Sequence, residues 1–138
     1  MAGAVGVRAL DDKLIVVHAY HVPPEYRAMP YYQDLVGRAL DAADAAIDGI
    51  EGECPTLSGV DWERDVIEGD PAEALCRVAH HRRAREIVVG TRGVGRVRGL
   101  LGSVAHEVLH RAECPVLVVP ARAVEAHTAA TATAGTLA

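Results

Sequence analysis

The chain has 138 residues and a net charge of −5; half of its residues are hydrophobic, with no Phe and a single Trp. This length suits one domain with a core of Val, Leu, Ile and Ala, and the negative charge argues against nucleic-acid or anionic-membrane partners. No apolar run approaches the roughly 18 residues of a membrane span, and the first ten residues lack the apolar stretch of a secretory signal. No C-x-x-C pair occurs. We therefore expect a cytoplasmic protein with reduced thiols.

Short apolar runs predict the strands of a parallel sheet. Val60 to Glu68 alternates apolar and charged residues, which indicates a half-exposed edge strand. Three other runs show no alternation and are rich in β-branched residues, as is typical of strands buried on both faces. They are Leu14–Val17, Ile87–Val89 and Val116–Val119.

Helical patterns occupy the intervals between these strands. From about Tyr32 to Ile50, apolar residues recur at steps of three and four. Asp70 to Glu73 has the pattern of a helix start, with an N-cap carboxylate followed by Pro at the first helical position. A last helix is predicted to begin at Ser103, which is a good N-cap residue.

The order of these elements predicts one domain. Strands and helices alternate, which indicates right-handed βαβ units in a doubly wound α/β sheet. We assign the domain to residues 1–120. Residues 121–138 are rich in Ala and Thr without clear periodicity, and we expect them to form a flexible tail.

A segment rich in glycine and arginine follows the strand that ends at Val89. Its sequence is GTRGVGRVRGLLGS, Gly90 to Ser103. Gly90 and Gly93 permit a tight turn with uncovered amides, and the helix after Gly102 presents its first-turn amides and the positive end of its dipole. Since ligands of such sheets bind beyond the carboxyl ends of the strands, this arrangement predicts an anion cradle suited to nucleotide phosphates.

The alternative is an exposed loop whose glycines only turn the chain. The spacing matches neither G-x-x-x-x-G-K-S/T nor G-x-G-x-x-G, so the motif alone is not specific. Arg92, Arg96 and Arg98 add local positive charge, and they can contact phosphate or stand in solvent. Composition does not separate these interpretations.

Several segments together resemble the universal stress protein family. Gly90–Pro120 is similar to the C-terminal signature of that family, KLIVVHAY (Lys13–Tyr20) to its second strand, and GDPAEAL with REIVVGTRG to its third helix and fourth strand. The resemblance runs from about Asp12 to Pro120 and implies an adenine nucleotide alpha hydrolase-like fold with strand order 3-2-1-4-5. It also implies a homodimer joined through Val116–Val119 and, in one branch, ATP bound at G-x2-G-x9-G-S/T, with or without Mg²⁺.

The same resemblance implies which residues would contact the nucleotide. Between Gly93 and Gly102 there are eight residues, one fewer than in the family motif, and this shortening could displace Gly102 and Ser103 from the phosphates. Phosphate and ribose contacts would come from Gly90, Gly93, Gly102 and Ser103, flanked by Val89 and Val104, while Ala19 would lie against the adenine.

The first strand of the family has no counterpart in the sequence. Family members open with V-x-V-D-G-S, whose Asp contacts the adenine, followed by a helix. Ala2 to Leu10 has room for a helix remnant at most, because a crossover alone needs about a dozen residues, and Asp11 and Asp12 cannot replace the missing Asp. We therefore expect strand 1 to be missing. Four explanations of this absence are open. They are a true start upstream of Met1, a degenerate family member, a strand supplied by another chain, and direct pairing of the two neighbouring strands. A truncated or mis-started chain is favoured.

These features predict a stress-response sensor or regulator that binds ATP or a related adenine nucleotide. The alternative is a degenerate or truncated member that binds no nucleotide and acts through dimerisation or partner contacts. We expect at most slow ATP hydrolysis, because no base for the attacking water stands out. We expect no structural metal.

HEVLH, His106 to His110, matches the H-E-x-x-H pattern of zinc hydrolases. On a helix of 3.6 residues per turn, both histidines lie opposite the apolar face around Val104 and Val108, and no downstream third ligand is obvious. We therefore expect them to face solvent, and a zinc hydrolase is a remote alternative.

Three further residues have two possible roles each. His18 and His21 flank the end of the second strand, where they can border a ligand cleft or make structural hydrogen bonds, and the structural role is favoured. Cys114 precedes the last strand and is expected to be a packed thiol, although an exposed one would be redox-active.

Overall fold

The computed structural model describes residues 5–8, 13–91, 101–123, 125–126 and 129–130. The described residues up to Pro120 form one five-stranded sheet and three α-helices. The strands are β1 (Val5–Arg8), β2 (Leu14–Tyr20), β3 (Trp62–Glu68), β4 (Glu86–Gly90) and β5 (Val116–Val119). The helices are α1 (Tyr32–Glu53), α2 (Pro71–His81) and α3 (Ser103–Arg111), with short 3-10 turns at Pro24–Tyr26 and Pro55–Gly59.

The sheet has the spatial order β3-β2-β1-β4-β5. β2 pairs with β3, and β4 with β5, in parallel. The predicted α/β class is confirmed, and the strand predicted at Val60–Glu68 lies at an edge of the described sheet.

The central position of the sheet corrects the expectation that strand 1 is missing. Val5–Arg8 occupies it and runs antiparallel to both neighbours; Gly6 pairs with Val16 on β2 and with Val88 on β4. Only residues 9–13 connect this strand to β2. A connection of that length suits an antiparallel pair, whereas a parallel pair needs a crossover of a dozen or more residues. The neighbouring strands therefore do not pair directly with each other.

The apolar runs of β2 and β4 contribute to the core, as their composition predicts. The prediction of burial on both faces is wrong for β5, because it is an edge strand of the described sheet and its Leu117 is 50% exposed. Side chains alternate between the faces of a strand; on β2, Ile15 and Val17 share one face, Val16 points to the other, and all three are buried. α1 packs against β2 and β3, and its Ala43 and Ile47 are fully buried. The cluster on the face of Ile15 and Val17 also includes Ile87 and Val89 of β4, Leu75 and Val78 of α2, and Ala105 and Val108 of α3.

The two helix starts differ from each other. At α2 the prediction is confirmed, since Asp70 Oδ1 accepts a 3.0 Å hydrogen bond from the amide of Glu73. At α3 the predicted cap is wrong by one residue. Gly102 is the N-cap, in extended conformation, and Ser103 is the first helical residue. Glycine is accepted at this position but provides no side-chain hydrogen bond to the first turn.

Beyond Pro120, the described residues 121–123, 125–126 and 129–130 are helical. The domain limit at residue 120 and the flexible tail stay predictions. No helix in the described part of the chain combines the length and the apolar character needed to cross a bilayer.

Candidate functional site

A cleft of about 560 Å³ lies at the carboxyl ends of β2 and β3. Its walls are the end of β2, one side of α1, and the turn that leads from β3 into α2. Doubly wound sheets bind their ligands beyond the carboxyl ends of the strands, so the cleft lies where this fold presents a ligand. Its lining residues are His18, Ala19, Tyr20, His21, Ala39, Ala42, Gly69, Asp70 and Pro71.

The turn at Gly69 shapes one wall of the cleft. Gly69 has a φ of +133°, a conformation that side-chain-bearing residues rarely adopt. Its amide donates a 2.8 Å hydrogen bond to the carbonyl oxygen of Tyr20, which ties the ends of β3 and β2 together. Asp70 then caps α2 and lines the cleft at the same time.

His18 contributes a polar atom beside this cleft. Its Nδ1 is shielded from solvent, and no hydrogen-bond partner for it lies among the described residues. Burial lowers the pKa of His18 below its ordinary value, which favours the neutral ring. The favoured structural hydrogen bond is thus not found for this atom, which carries an uncompensated desolvation cost.

The ends of the glycine-rich segment meet at β4. The carbonyl oxygen of Thr91 accepts a 2.7 Å hydrogen bond from the amide of Gly102, and the Thr91 amide donates a 3.0 Å bond to Val119. These bonds place the residues after Val89 next to the start of α3, as the anion-cradle prediction requires. They also engage the amides of Thr91 and Gly102 with main-chain carbonyls, so neither is available to a phosphate in this arrangement.

The first turn of α3 retains donors for an anion. Its first helical hydrogen bond runs from the amide of His106 to the carbonyl of Gly102. The amides of Ser103, Val104 and Ala105 precede this bond and make no main-chain hydrogen bond within the described ranges. The positive end of the helix dipole lies at the same point. The amides of Ser103 and Val104 thus lie at the start of α3 without such a bond, whereas the amide of Gly102 is engaged by Thr91. Nucleotide contacts by Gly102, Ser103 and Val104 stay predictions.

The other residues predicted to contact the nucleotide lie on two different strands or outside the described residues. Ala19 lines the cleft at β2. Gly90 is exposed at the end of β4, and Val89 is 2% exposed with its side chain in the core, so a ligand could reach only the main chain of Val89. Gly93, together with Arg92, Arg96 and Arg98, lies outside the described residues.

β1 separates these two groups of residues. Its pairs nearest the cleft are Val5 with Val17 and Gly6 with Val88, so the tips of β2 and β4 extend beyond them towards the ligand side. Adjacent strands are about 4.8 Å apart, which puts the Ala19 and Gly90 strands about 10 Å from each other. β1 has the sequence VGVR and provides no carboxylate in place of the aspartate expected from the family.

The predicted solvent exposure of the two histidines in HEVLH is confirmed. His106 and His110 are exposed on α3 with ring centroids 4.6 Å apart. The described residues include no group of three or more His, Cys, Asp or Glu side chains suited to hold a metal ion. Nothing in this geometry supports a zinc hydrolase.

Sequence reasoning missed six cleft residues, of which Asp70 was predicted only as a helix cap. They are Tyr20 at the end of β2, Ala39 and Ala42 of α1, and Gly69, Asp70 and Pro71 of the turn into α2. The turn has a sequence signal, because it follows the carboxyl end of a predicted strand, where ligands of this fold class bind. Ala39 and Ala42 have no such sequence signal, because small residues also occur wherever a helix packs closely against a neighbouring element.

Comparison with known proteins places the chain in one family. The family model of the universal stress protein family matches residues 3–120. The universal stress protein in the QAH/OAS sulfhydrylase 3′ region of Thermus aquaticus is 39% identical over 114 residues, covering 81% of this chain and 80% of that protein. The two sequences are thus related along most of their length.

Solved structures show the same fold. The hypothetical protein MJ0577 aligns with a TM-score of 0.66 and 23% identity, covering 79% of this chain and 76% of that one. A universal stress protein family protein from Arabidopsis thaliana, solved with AMP bound, aligns with a TM-score of 0.54 and 24% identity over 80% of this chain and 65% of its own. The family match and the Thermus relative together show that the chain belongs to the universal stress protein family.

Proposed function

We propose that this chain binds ATP or a related adenine nucleotide at the carboxyl edge of its sheet, and acts as a cytoplasmic stress-response sensor or regulator. The observation that carries this proposal is the cleft beside Ala19 on β2, two strand positions from β4, whose next residue Thr91 is hydrogen-bonded to Gly102 at the start of α3. Family membership supports it. The Arabidopsis protein, which shares the fold, binds AMP.

The cleft suits a flat heteroaromatic base. Ala19, Ala39 and Ala42 have small apolar side chains, which leave room for a ring and offer it van der Waals contact. The base would therefore occupy the β2 side of the site.

The phosphates would lie at the β4 side. The amides of Ser103 and Val104 can donate to phosphate oxygens, and the helix dipole favours negative charge there. Gly90 is exposed at the end of β4 and leaves its main chain open to a phosphate. Gly93, Arg92, Arg96 and Arg98, which follow it in the sequence, are proposed as further phosphate contacts. Mg²⁺ would enter as a counterion of the triphosphate.

The cleft gives little support to fast hydrolysis. Asp70 is the only carboxylate that lines it in the described part of the chain. Asp70 Oδ1 already accepts the hydrogen bond that caps α2. We therefore infer a binding protein with at most slow hydrolysis.

Isothermal titration of the folded full-length chain with Mg-ATP and with AMP tests this proposal. Binding of either is expected, and Ala39→Leu, which fills the cleft from α1, should weaken it at least about tenfold, roughly 1.4 kcal/mol. Ala46→Leu adds the same methylene groups at an exposed position of the same helix and should bind like the wild type. Absence of heat at millimolar nucleotide from folded protein would reject the proposal.

The alternative is a family member that has lost nucleotide binding. Two observations favour it: β1 carries no aspartate, and Thr91 engages the amide of Gly102. Such a protein would act through dimerisation or partner contacts. In both cases we propose a homodimer through β5, an edge strand of the described sheet whose Leu117 is 50% exposed. The titration separates the two functions.

A further inference from the structure

Two cysteines from distant parts of the sequence line one small cavity. Cys76 belongs to α2, and Cys114 lies in the turn between α3 and β5. Both are half-buried, and both pack against the core cluster of α2 and α3. The cavity has a volume of about 170 Å³, and its other lining residues are Ala79, His80, Arg83, Ala84 and Glu113.

We propose that Cys76 and Cys114 are a redox pair that low-molecular-weight disulfides, such as oxidised glutathione, convert into an intramolecular disulfide. A disulfide requires Cβ atoms directed towards each other at short range. Cys76 and Cys114 line the same small cavity, and Cys114 is close enough to act on the pKa of Cys76. Cys54 does not line this cavity; it lies at the end of α1.

The mouth of the cavity is polar and open to a charged oxidant. His80, Arg83 and Glu113 are exposed, and His80 Nδ1 lies 2.8 Å from Glu113 Oε2. The carboxylates of glutathione could meet the guanidinium of Arg83. The sequence predicted a packed thiol at Cys114, and the structure adds a second thiol and an entry route.

The surroundings of the thiols set the pH range of the reaction. Burial raises the pKa of Cys76, and the neighbouring Cys114, Asp70 and Glu113 raise it further, whereas Arg111 lowers it. Burial also raises the pKa of Cys114, with Glu113 and Glu86 acting in the same direction. Since the thiolate is the attacking species, exchange should be slow at neutral pH and faster as the pH rises.

The reaction consists of two exchange steps. The thiolate of one cysteine attacks a sulfur of oxidised glutathione, forming a protein–glutathione bond and releasing one glutathione thiolate. The second cysteine loses its proton and attacks the protein sulfur, forming the Cys76–Cys114 bond and releasing the second glutathione. Two protein thiols are oxidised, and one small disulfide is reduced to two thiols.

The cross-link would enclose the proposed phosphate side of the site. The segment between Cys76 and Cys114 contains β4, the glycine-rich segment and α3. A disulfide across it restricts the unfolded chain and stabilises the fold. The proposal does not depend on nucleotide binding, because the cavity is separate from the cleft beside Ala19.

Incubation of the full-length chain with oxidised glutathione, followed by mass spectrometry without reduction, tests the proposal. The protein should lose two hydrogen atoms, a proteolytic digest should yield a peptide joining Cys76 to Cys114, and reduction should restore the original mass. Below the thiol pKa, the initial rate should rise about tenfold per pH unit, as the thiolate fraction does.

Serine variants distinguish this pair from general thiol oxidation. Cys76→Ser and Cys114→Ser should each stop at a stable mixed disulfide with glutathione, while Cys54→Ser should form the internal disulfide as the wild type does. Stable glutathione adducts on both cysteines of the wild type, or a cross-link to Cys54 or to a second chain in place of the internal one, would overturn the proposal.

Discussion

The amide of Gly69 donates a 2.8 Å hydrogen bond to the carbonyl oxygen of Tyr20, which joins the turn after β3 to the carboxyl end of β2 at the wall of the cleft. Both residues line the cleft, and Gly69 reaches this geometry at a φ of +133°. The wall therefore depends on a backbone conformation that glycine adopts without strain.

Gly69→Ala should destabilise the fold by about 1 to 3 kcal/mol through backbone strain. No atom lies within 4 Å of a Cβ added at Gly69, so the loss would come from the φ angle and not from a clash. Urea unfolding measures the change. Gly59→Ala is a matched control, because Gly59 also has open space but no positive φ. Equal stability of the two variants would contradict this account.

Local pattern was sufficient to predict β2 to β5 and the three helices. Apolar runs, alternation and helical periodicity are properties of neighbouring residues. The burial of β5 on both faces was predicted wrongly, because the position of a strand at the sheet edge is not a local property. β1 was not predicted, because four residues with only two apolar side chains give no comparable signal. Its place is set by pairing with β2 and β4, which are distant in sequence from each other.

The geometry of the candidate site could be predicted only in part, for a similar reason. Ala19 was identified by family resemblance, and Ser103 by that resemblance and by the helix start. In the structure Ala19 lines the cleft and Ser103 is the first residue of α3. The hydrogen bond from Gly102 to Thr91 was not foreseen, since it depends on how the glycine-rich segment closes. The contribution of Ala39 depends on the packing of α1 and is likewise invisible in the sequence.

Val7→Pro tests the central position of β1. Val7 pairs with Ile15 on one side and with Ile87 on the other. Proline removes the amide hydrogen and is poorly tolerated within a central strand, so stability should fall by about 1 to 3 kcal/mol as a buried acceptor loses its donor. Val5→Pro, at the first residue of the strand, should be milder. Unchanged unfolding and unchanged amide exchange in β2 and β4 for Val7→Pro would show that β1 is not paired there.

Arg83→Gly should stabilise the protein by roughly 1 kcal/mol. Arg83 follows α2 with a φ of +50°, a left-handed conformation that costs a side-chain-bearing residue about 1 to 2 kcal/mol. The amide of Ala84 donates to Ala79, and that of Arg83 to His80, which together form the helix-ending motif that prefers glycine at this position.

Thermal and urea unfolding measure the effect of Arg83→Gly. Arg83→Ala is its control, because it removes the same charge but keeps the strained backbone, and it should show no comparable gain. An equal gain for both variants would attribute the effect to charge and not to the φ angle.

Leu117→Glu should convert the proposed homodimer into a monomer. Leu117 is 50% exposed on β5, pairs with Val88 of β4, and lies on an edge strand of the described sheet. A glutamate buried at a subunit interface would carry an unpaired charge, and loss of a central apolar contact commonly costs at least about 2 kcal/mol of association energy.

Sedimentation velocity measures the change. Val60→Glu places the same charge at a similarly exposed residue, 43% exposed, just before the opposite edge strand β3, and should leave the dimer intact. A dimer that survives Leu117→Glu but not Val60→Glu would move the interface from β5 to the β3 edge.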